Sequence, residues 1–282
     1  AKVRGIQVII VSDTYLDSPQ LGGLILGSMA IAGARHIVEI GAEFGGMSQL
    51  LADHAEAVGG HLPNIDPDPR QECISWAATA AAVTHIPAAS LDIIHELRHV
   101  DAWVIGGDHN YYTVLNELKA ADAVCARDGW PLLGFIHDVS WPTARRDIYY
   151  APERIPQAHR HPHSFGAGAM LDKGELVPGQ GFRGGSDWAM ANHIGGPRNG
   201  VLTAVEDFLD DARASGRELA WAHVPSVFGL GILFDATAPW SPDVAALVAP
   251  FHDNKLLAAM ELNRLGNYMA VIAWQDQTAP AT

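Results

Sequence analysis

One stretch of the chain combines glycines, carboxylates and a hydroxyl in a pattern suited to binding a cofactor. Between His36 and Ala52, a short apolar segment runs into an acidic turn that contains glycine and opens directly into a helix-like segment. Glycines let a ligand lie against bare backbone, and the first N–H groups of the following helix point at whatever binds. We therefore predict a small-molecule cofactor loop whose contacts come from Glu39, Gly41, Ala42, Glu43, Gly45 and Ser48.

A second carboxylate follows the next predicted strand. Asp66 comes directly after the segment His61–Ile65. A carboxylate at the end of a second strand can accept hydrogen bonds from both hydroxyls of a ribose. The alternative is a plain glycine turn with a solvated surface aspartate. Because the loop and the acid occur together, we favour a cofactor that contains a nucleoside.

A histidine provides the candidate for proton transfer. His109 and its neighbours Gly107 and Asp108 follow the predicted strand Ala102–Ile105. An imidazole with a pKa of about 6.5 can accept a hydroxyl proton at neutral pH. We expect His109 and Asp108 to serve catalysis, and Gly107 and Asp108 to contact the cofactor. The alternative is a structural histidine that holds the turn through Asp108.

The elements around these residues alternate between strand and helix, which predicts a parallel sheet covered on both faces, with ligands beyond the carboxyl ends of its strands. We expect strands at Ile37–Ile40, His61–Ile65, Ala102–Ile105 and Leu132–Ile136. We expect helices at Leu24–Ala34, Gly46–Val58, Glu72–Val83, Asp92–Leu97, Tyr112–Ala126 and Val201–Ala214. Near the C-terminus, Ala220–Phe234 and Tyr268–Trp274 are predicted to be neighbouring strands joined by a helix at Asp253–Leu265.

Residues 141–200 interrupt this alternation with a long irregular segment, which predicts a lid or binding loop. Ordinary packing is the alternative for its aromatic residues, and solvated loop is the alternative to metal binding for His159, His161 and His163. The expected substrate contacts are Trp141, Tyr149, Trp188 and His193.

Taken together, these stretches resemble the class I S-adenosylmethionine-dependent methyltransferases. The loop EIGAEFGG is similar to their motif I. The segment 100–112 resembles the signature DGDHSYEGV of a group that includes natural-product O-methyltransferases, and His137-Asp138 is similar to the HD that follows it. The resemblance extends from about Ser18 to Trp274.

The resemblance implies a Rossmann-like α/β fold: a mainly parallel sheet with an antiparallel C-terminal strand, helices on both faces and an irregular cap. It implies one methyltransferase domain over residues 1–282, with a cap or lid inserted at 141–200. S-adenosylmethionine would donate a methyl group to a hydroxyl of a small-molecule, natural-product acceptor, with His109 as general base. Ser90 would lie near the adenine.

Two other function classes stay open. An S-adenosylmethionine-binding lyase or cyclase on the same fold would transfer no methyl group. A nonenzymatic binding or assembly protein is less favoured, because the loop, the ribose acid and the histidine occur together.

A divalent metal is a further open question. Metal-dependent relatives bind magnesium through carboxylates at two strand ends, but here Gly106 and His137 stand where acids are expected. We name His137 and Asp138 as candidate ligands, for a metal that accepts imidazole. Loss of the metal is the alternative.

Composition excludes several other function classes. The chain has 282 residues, with 32 acidic against 18 basic side chains and a formal charge of −14. Such a charge repels phosphate backbones, so we expect no nucleic-acid partner. No apolar run reaches the roughly 18 residues of a membrane span. Two cysteines indicate a reducing compartment, so we expect a cytoplasmic protein, and the relatives suggest a homo-oligomer.

Overall fold

The structure, a computed structural model, describes residues 19–42 and 46–278. The expected cofactor contacts Glu43 and Gly45 lie outside the described residues. The strands, in chain order, are β1 (Ile37–Ile40), β2 (Leu62–Ile65), β3 (Val83–Ile86), β4 (Ala102–Ile105), β5 (Leu133–His137), β6 (Ile148–Tyr149), β7 (His163–Ser164), β8 (Ala167–Gly168), β9 (Val177–Pro178), β10 (Ala189–Ala191), β11 (Leu219–Val224) and β12 (Leu230–Asp235).

Helices alternate with the strands through most of the chain. Short 3-10 turns at Ile94–Glu96, Pro152–Arg154 and Gln157–His159 extend or connect them. The α-helices are α1 (Pro19–Ala32), α2 (Gly46–Val58), α3 (Gln71–Ala77), α4 (Ser90–Ile93), α5 (Tyr111–Asp128), α6 (Val201–Ala214), α7 (Ser241–Val248) and α8 (Lys255–Thr278).

Seven strands form the main sheet, in the spatial order β3-β2-β1-β4-β5-β12-β11. The first five strands of the chain pair in parallel, whereas β12 runs antiparallel to both β5 and β11. All residues of β1, β4 and β5 are buried, as expected for central strands covered on both faces. This mainly parallel sheet with an antiparallel C-terminal strand confirms the predicted fold class.

Two apolar layers cover the sheet. Side chains from α1, α2 and α7 pack on one face, and side chains from α5, α6 and the turn after α4 pack on the other. Successive residues of a strand contribute their side chains to opposite layers: Ile37 belongs to the first layer and Val38 to the second. This burial keeps the carboxyl ends of the strands in fixed relative positions.

Residues 141–200, called the cap below, form small sheets instead of one long loop. The strands β6, β10 and β7 make one sheet, and β8 pairs with β9. Ile148, Phe182 and Met190 of the cap share an apolar cluster with Phe228 and with one face of α8. The role of the cap as a lid stays a prediction.

A buried carboxylate joins the cap to the main sheet. Asp147 accepts hydrogen bonds from the backbone N–H of Tyr111 at 2.8 Å and of Gly200 at 2.7 Å. These N–H groups lie at the beginnings of α5 and α6. The hydroxyl of Tyr149 donates to the other oxygen of Asp147 at 2.8 Å. One cap residue therefore holds the first turns of two helices.

The prediction of a strand at Tyr268–Trp274 is wrong, because this segment belongs to α8. The buried residues of α8 recur at helical spacing, at Glu261, Leu265, Met269 and Ile272. Aromatic and β-branched residues favoured a strand in the sequence, but the cap offers an apolar surface that one helical face covers. The antiparallel neighbour of β5 is instead β12. It forms a hairpin with β11 inside the segment Ala220–Phe234, which we had predicted to be one strand.

The predicted helix Glu72–Val83 is also too long. The helix α3 ends at Ala77, and Val83 begins the edge strand β3, which the sequence analysis missed. The residues of β3 are only half-buried or exposed, so they lack the apolar run of a central strand. No helix in the described part of the chain is long and apolar enough to cross a membrane.

The ends of β1 and β4 approach so closely that a side chain at Gly41 has no room. A Cβ on Gly41 would lie 2.3 Å from the Cα of Gly107, and Gly41 has a φ of +88°. We expect Gly41→Ala to lower the free energy of unfolding by about 3 kcal/mol, since steric overlap adds to the cost of a positive φ. Chemical denaturation measures this loss.

Gly59→Ala is the matched control. Gly59 has a φ of +66°, but a Cβ there would meet nothing within 4 Å. We expect this variant to lose only about 1 kcal/mol, from the backbone conformation alone. Equal losses in the two variants would contradict the proposed close contact.

Candidate active site

The candidate site lies where β1, β4 and β5 end side by side. Gly41 and Ala42 follow β1, Gly106–His109 follows β4, and Asp138 follows β5. In open α/β sheets, ligands bind beyond the carboxyl ends of the strands. A small cleft opens there between β1 and β4. Its lining residues are Glu39, Ile40, Gly41, Ala42, Met47, Val104 and Gly106.

Asp66 lies beside the turn that follows β1. Its Oδ2 accepts a hydrogen bond from the backbone N–H of Ala42 at 2.9 Å, and its Oδ1 accepts one from the backbone N–H of Asp68 at 2.9 Å. The half-buried carboxylate therefore joins the ends of β1 and β2. The structure thus brings Asp66 together with Gly41 and Ala42, as the sequence analysis expected.

Glu39 lines the cleft, and its carboxylate is held by Ser48 and Asn64. The hydroxyl of Ser48 donates to Oε2 of Glu39 at 2.6 Å, and the amide of Asn64 donates to the same oxygen at 2.5 Å. All three side chains are buried. Glu39 reaches the cleft, whereas Ser48 lies behind it. Asn64 lies in β2, two residues before Asp66, and has no role predicted from the sequence.

Asp108 holds the turn before α5. Its Oδ2 accepts hydrogen bonds from the amide of Asn110 at 2.6 Å and from the hydroxyl of Thr113 at 2.8 Å. Asn110 in turn caps α5, because its side chain accepts from the backbone N–H of Thr113. Burial raises the pKa of Asp108. This network also positions His109, which lies between Asp108 and Asn110.

Ser90 points at a buried carboxyl group. Its hydroxyl donates to Oε1 of Glu117 at 2.5 Å. Burial raises the pKa of Glu117 to about 8, and Asp108 adds to the shift. Within residues 19–42 and 46–278, Oε2 of Glu117 has no hydrogen-bond partner. The sequence analysis missed Glu117, because a glutamate inside a helix ordinarily faces solvent.

His109 and Asp138 face each other across the ends of β4 and β5. Nδ1 of His109 lies 3.3 Å from Oδ2 of Asp138, and both side chains are buried. The backbone carbonyl of His109 accepts from the N–H of Ile148 in the cap at 2.9 Å. This pairing gives Asp138 a position suited to orienting the imidazole, in addition to the metal role expected from the sequence.

His137 lies on the other side of Asp138. Its Nε2 is 3.4 Å from Oδ1 of Asp138, and its ring centroid is 6.1 Å from that of His109. Burial lowers the pKa of His137, although Asp138 opposes the shift. Burial therefore favours the neutral imidazole of His137.

The donor set of this site is poor for a metal ion. Within residues 19–42 and 46–278, no group of three or more His, Cys, Asp or Glu side chains is arranged to hold one. His137 and Asp138 supply two neighbouring donors, and Asp138 already faces His109. We therefore derive no step through a metal, and its presence stays a prediction.

The histidines of the cap diverge. The ring of His159 lies 4.8 Å from that of Tyr112. Nε2 of His161 contacts the carbonyl of Arg198 at 2.8 Å, and Nδ1 of His163 contacts the carbonyl of His161 at 2.9 Å. Their ring nitrogens do not converge on a common point.

Two of the expected substrate contacts lie elsewhere. Tyr149 is fully buried, and its hydroxyl is committed to Asp147. His193 lies at the surface, where Nδ1 is 2.9 Å from a carboxylate oxygen of Glu175. As placed here, neither side chain can line a site around His109. Tyr149, the last residue of β6, is buried in the cap, whereas its neighbour lies just beyond the strand and is exposed.

That neighbour, Tyr150, is the aromatic residue beside the candidate base. Its ring centroid lies 6.0 Å from that of His109, and 43% of the residue is exposed. Trp141 and Trp188 instead pack against Phe182, with centroid distances of 5.7 and 5.3 Å. Tyr149-Tyr150 is visible in the sequence, but which of the pair faces the site depends on the register of β6.

No protein-family model matches the chain, and no curated protein matches it. Among solved structures, an O-methyltransferase from Bacillus cereus in complex with SAH is 14% identical, with a TM-score of 0.47, over 77% of this chain and 81% of that one.

The O-methyltransferase TomG from Streptomyces achromogenes, involved in tomaymycin synthesis and solved with SAM, is 15% identical, with a TM-score of 0.45, over 79% and 86% of the two chains. The SAH-bound methyltransferase PaMTH1 from Podospora anserina is 12% identical, with a TM-score of 0.45, over 78% and 80%.

The buried carboxyl of Glu117 predicts a pH-dependent stability. A folded-state pKa of about 8 exceeds the ordinary 4.5, so the folded state binds this proton more tightly than the unfolded state. The free energy of unfolding therefore falls as the pH rises from about 4.5 to 8, by a few kcal/mol in order of magnitude. We expect the free energy of unfolding of Glu117→Gln to depend less on pH over this range. At pH 9 this variant should be more stable than the wild-type protein.

Urea denaturation of both proteins at pH 5, 7 and 9 measures the effect. Glu56→Gln is the control, because Glu56 is exposed on α2. We expect it to follow the wild-type protein at each pH. Parallel stability curves for the wild-type protein and Glu117→Gln would contradict a buried, protonated glutamate.

Proposed function

We propose that this chain is an S-adenosylmethionine-dependent methyltransferase that methylates a hydroxyl group of a small-molecule acceptor, of the natural-product type. The observation that carries the proposal is the buried pair His109–Asp138, with Nδ1 and Oδ2 3.3 Å apart at the ends of β4 and β5. A glycine-lined cleft opens at the same edge of the sheet, between the ends of β1 and β4. A base beside a cofactor cleft is the arrangement that such a transfer needs.

The residues of the cleft fit the cofactor. Gly41 and Gly106 line the cleft at the ends of β1 and β4 and present backbone without a side chain there. The turn at Gly41–Ala42 would hold the methionine part, and Asp66 would accept hydrogen bonds from the ribose hydroxyls. When bound, S-adenosylmethionine supplies an activated methyl group.

His109 removes the proton from the acceptor hydroxyl. Because Nδ1 faces Asp138, this nitrogen carries the proton in the neutral ring, and Nε2 is left as the basic atom. As Nε2 takes up the hydroxyl proton, the carboxylate of Asp138 stabilises the imidazolium that forms. The neutral His137 on the far side of Asp138 adds no competing positive charge.

The remaining acceleration comes from alignment. The carbonyl of His109 is bonded to the N–H of Ile148, so the base is fixed to the cap as well as to the sheet. Tyr150, partly exposed beside His109, provides a ring against which an acceptor would lie. When the acceptor oxygen is held in line with the methyl group, the two groups react as if in one molecule, and the entropic cost of bringing them together is already met. The cap would exclude water from that pair.

His109→Ala tests the base. We expect the turnover number to fall by about two to four powers of ten, because no other group replaces the imidazole. Asp138→Asn should give a loss of similar order, since it disturbs the required tautomer. Radiolabelled methyl transfer to a panel of hydroxylated acceptors measures turnover, and calorimetry measures cofactor binding, which we expect both variants to keep.

His95→Ala is the control, because the side chain of His95 is 68% exposed and pairs with Glu96. Unchanged turnover in His109→Ala would remove the proposed base. Cofactor binding without transfer to any acceptor would favour the lyase or cyclase alternative. The same assay with and without a chelator decides the metal prediction.

Asp66→Ala tests the cofactor site independently of the acceptor. Loss of a charged hydrogen-bond acceptor costs about 1.5–3 kcal/mol, so we expect the dissociation constant of S-adenosylmethionine to rise by roughly 10- to 100-fold. Asp68→Ala is the matched control, since Asp68 is an exposed neighbour whose backbone N–H, and not its side chain, bonds to Asp66. Equal affinity in the two variants, measured by calorimetry, would contradict the assignment.

A further inference from the structure

A second set of titratable and nucleophilic side chains lies outside the proposed methyl-transfer site. Oγ of Ser140 is 2.9 Å from Nε2 of His223, and Nδ1 of His223 is 2.8 Å from Oδ1 of Asp253. These residues come from the loop after β5, from β11 and from the turn before α8. A hydroxyl, an imidazole and a carboxylate joined in this order form the arrangement of the catalytic triad of serine hydrolases.

The hydrogen bonds determine the direction of proton transfer. The carboxylate of Asp253 can only accept, so Nδ1 of His223 donates to it. Nε2 is then unprotonated in the neutral ring and accepts the hydroxyl proton of Ser140. The imidazole is thus the general base, and the hydroxyl is the nucleophile.

A backbone hydrogen bond also joins His223 and Asp253. The N–H of Asp253 donates to the carbonyl of His223 at 2.8 Å, alongside the side-chain contact. Asp253 adopts a φ of +45°, in the left-handed region. The side chain of His223 is 19% exposed and that of Asp253 is 65% exposed. The base is therefore shielded from bulk water while its orienting carboxylate is hydrated.

The turn before β12 fixes the serine. The N–H of Ser140 donates to the carbonyl of Phe228 at 2.6 Å. A Cβ on Gly229 would lie 2.4 Å from Oγ of Ser140, so only glycine leaves room for this hydroxyl. Val227, Phe228 and Gly229 have φ values of 49°, 64° and 93°. Consecutive residues in this region are costly, and such strain concentrates at functional sites.

The residue after the serine supplies the remaining parts of an acyl-transfer site. Within residues 19–42 and 46–278, the backbone N–H of Trp141 makes no hydrogen bond. In serine hydrolases the N–H that follows the nucleophile stabilises the developing oxyanion. The indole of Trp141 packs against Phe182, in the apolar cluster of the cap. An apolar acyl group suits these surroundings.

We propose that Ser140, His223 and Asp253 form a hydrolytic site for small carboxylic esters with an apolar acyl group. Oγ of Ser140 attacks the ester carbonyl while its proton passes to Nε2 of His223. The alkoxide leaves with that proton as the free alcohol, and an acyl-serine remains. Water then attacks the acyl carbon, gives its proton to His223, and releases the carboxylic acid as Ser140 regains its hydrogen.

A fluorophosphonate probe and p-nitrophenyl acetate test this site in the full chain. We expect the fluorophosphonate to label Ser140, located by mass spectrometry of the digested protein. Ester hydrolysis should fall at least 100-fold in Ser140→Ala. Asp253→Asn should reduce the labelling rate by a similar factor through the tautomer of His223, and its exposed position makes loss of folding a poor explanation.

Ser226→Ala is the control, because Ser226 lies in the same turn and contacts Gly229 through its backbone carbonyl. It should be labelled at Ser140 and hydrolyse the ester like the wild-type protein. Absence of label on Ser140, or undiminished ester hydrolysis in Ser140→Ala, overturns the proposal. Methyl transfer and cofactor affinity in Ser140→Ala are measured separately, so failure of this site leaves the proposed methyltransferase untouched.

Discussion

The buried carboxylate of Asp147 is the interaction on which the arrangement of the site depends. A buried carboxylate is costly unless hydrogen bonds satisfy its oxygens, and here the first turns of α5 and α6 and a cap tyrosine do so. Anionic groups are stabilised at the beginnings of helices. Because α5 begins at Tyr111, two residues after His109, the same contact that joins the cap to this helix also helps to place the candidate base.

Polar networks of this kind recur around the proposed cofactor cleft. Glu39 is held by Ser48 and Asn64, and Asp108 is held by Asn110 and Thr113. The sequence suggests Glu39 and Asp108 as ligand contacts. In the structure, each of these side chains instead supports a turn through its hydrogen bonds. The turns then offer backbone and a few side chains to the ligand. In this way the apolar layers position the strands, the networks position the turns, and the turns position His109, Asp138 and Asp66.

The central part of the sheet was largely predictable from the sequence, since its strands are short, mostly apolar segments followed by glycine or acidic residues. Strand β1 and helix α2 begin and end at the predicted residues. Prediction failed where packing partners decide the conformation. The aromatic and β-branched residues near the C-terminus favoured a strand, yet they form part of α8 against the cap. Tyr149 and Tyr150 are equivalent in the sequence, and only the register of β6 buries one and exposes the other.

The sequence by itself determined the central alternation of strands and helices, the glycine turn after β1, and the histidine and acids that follow the strands. These features follow from local residue types and spacing, which act over a few residues. Only the tertiary structure decided which of these groups meet. His109 meets Asp138 because β4 and β5 are neighbours in the sheet, and Ser140 meets His223 because the hairpin of β11 and β12 packs beside β5. Contacts between distant residues depend on strand order and register, which residue spacing does not encode.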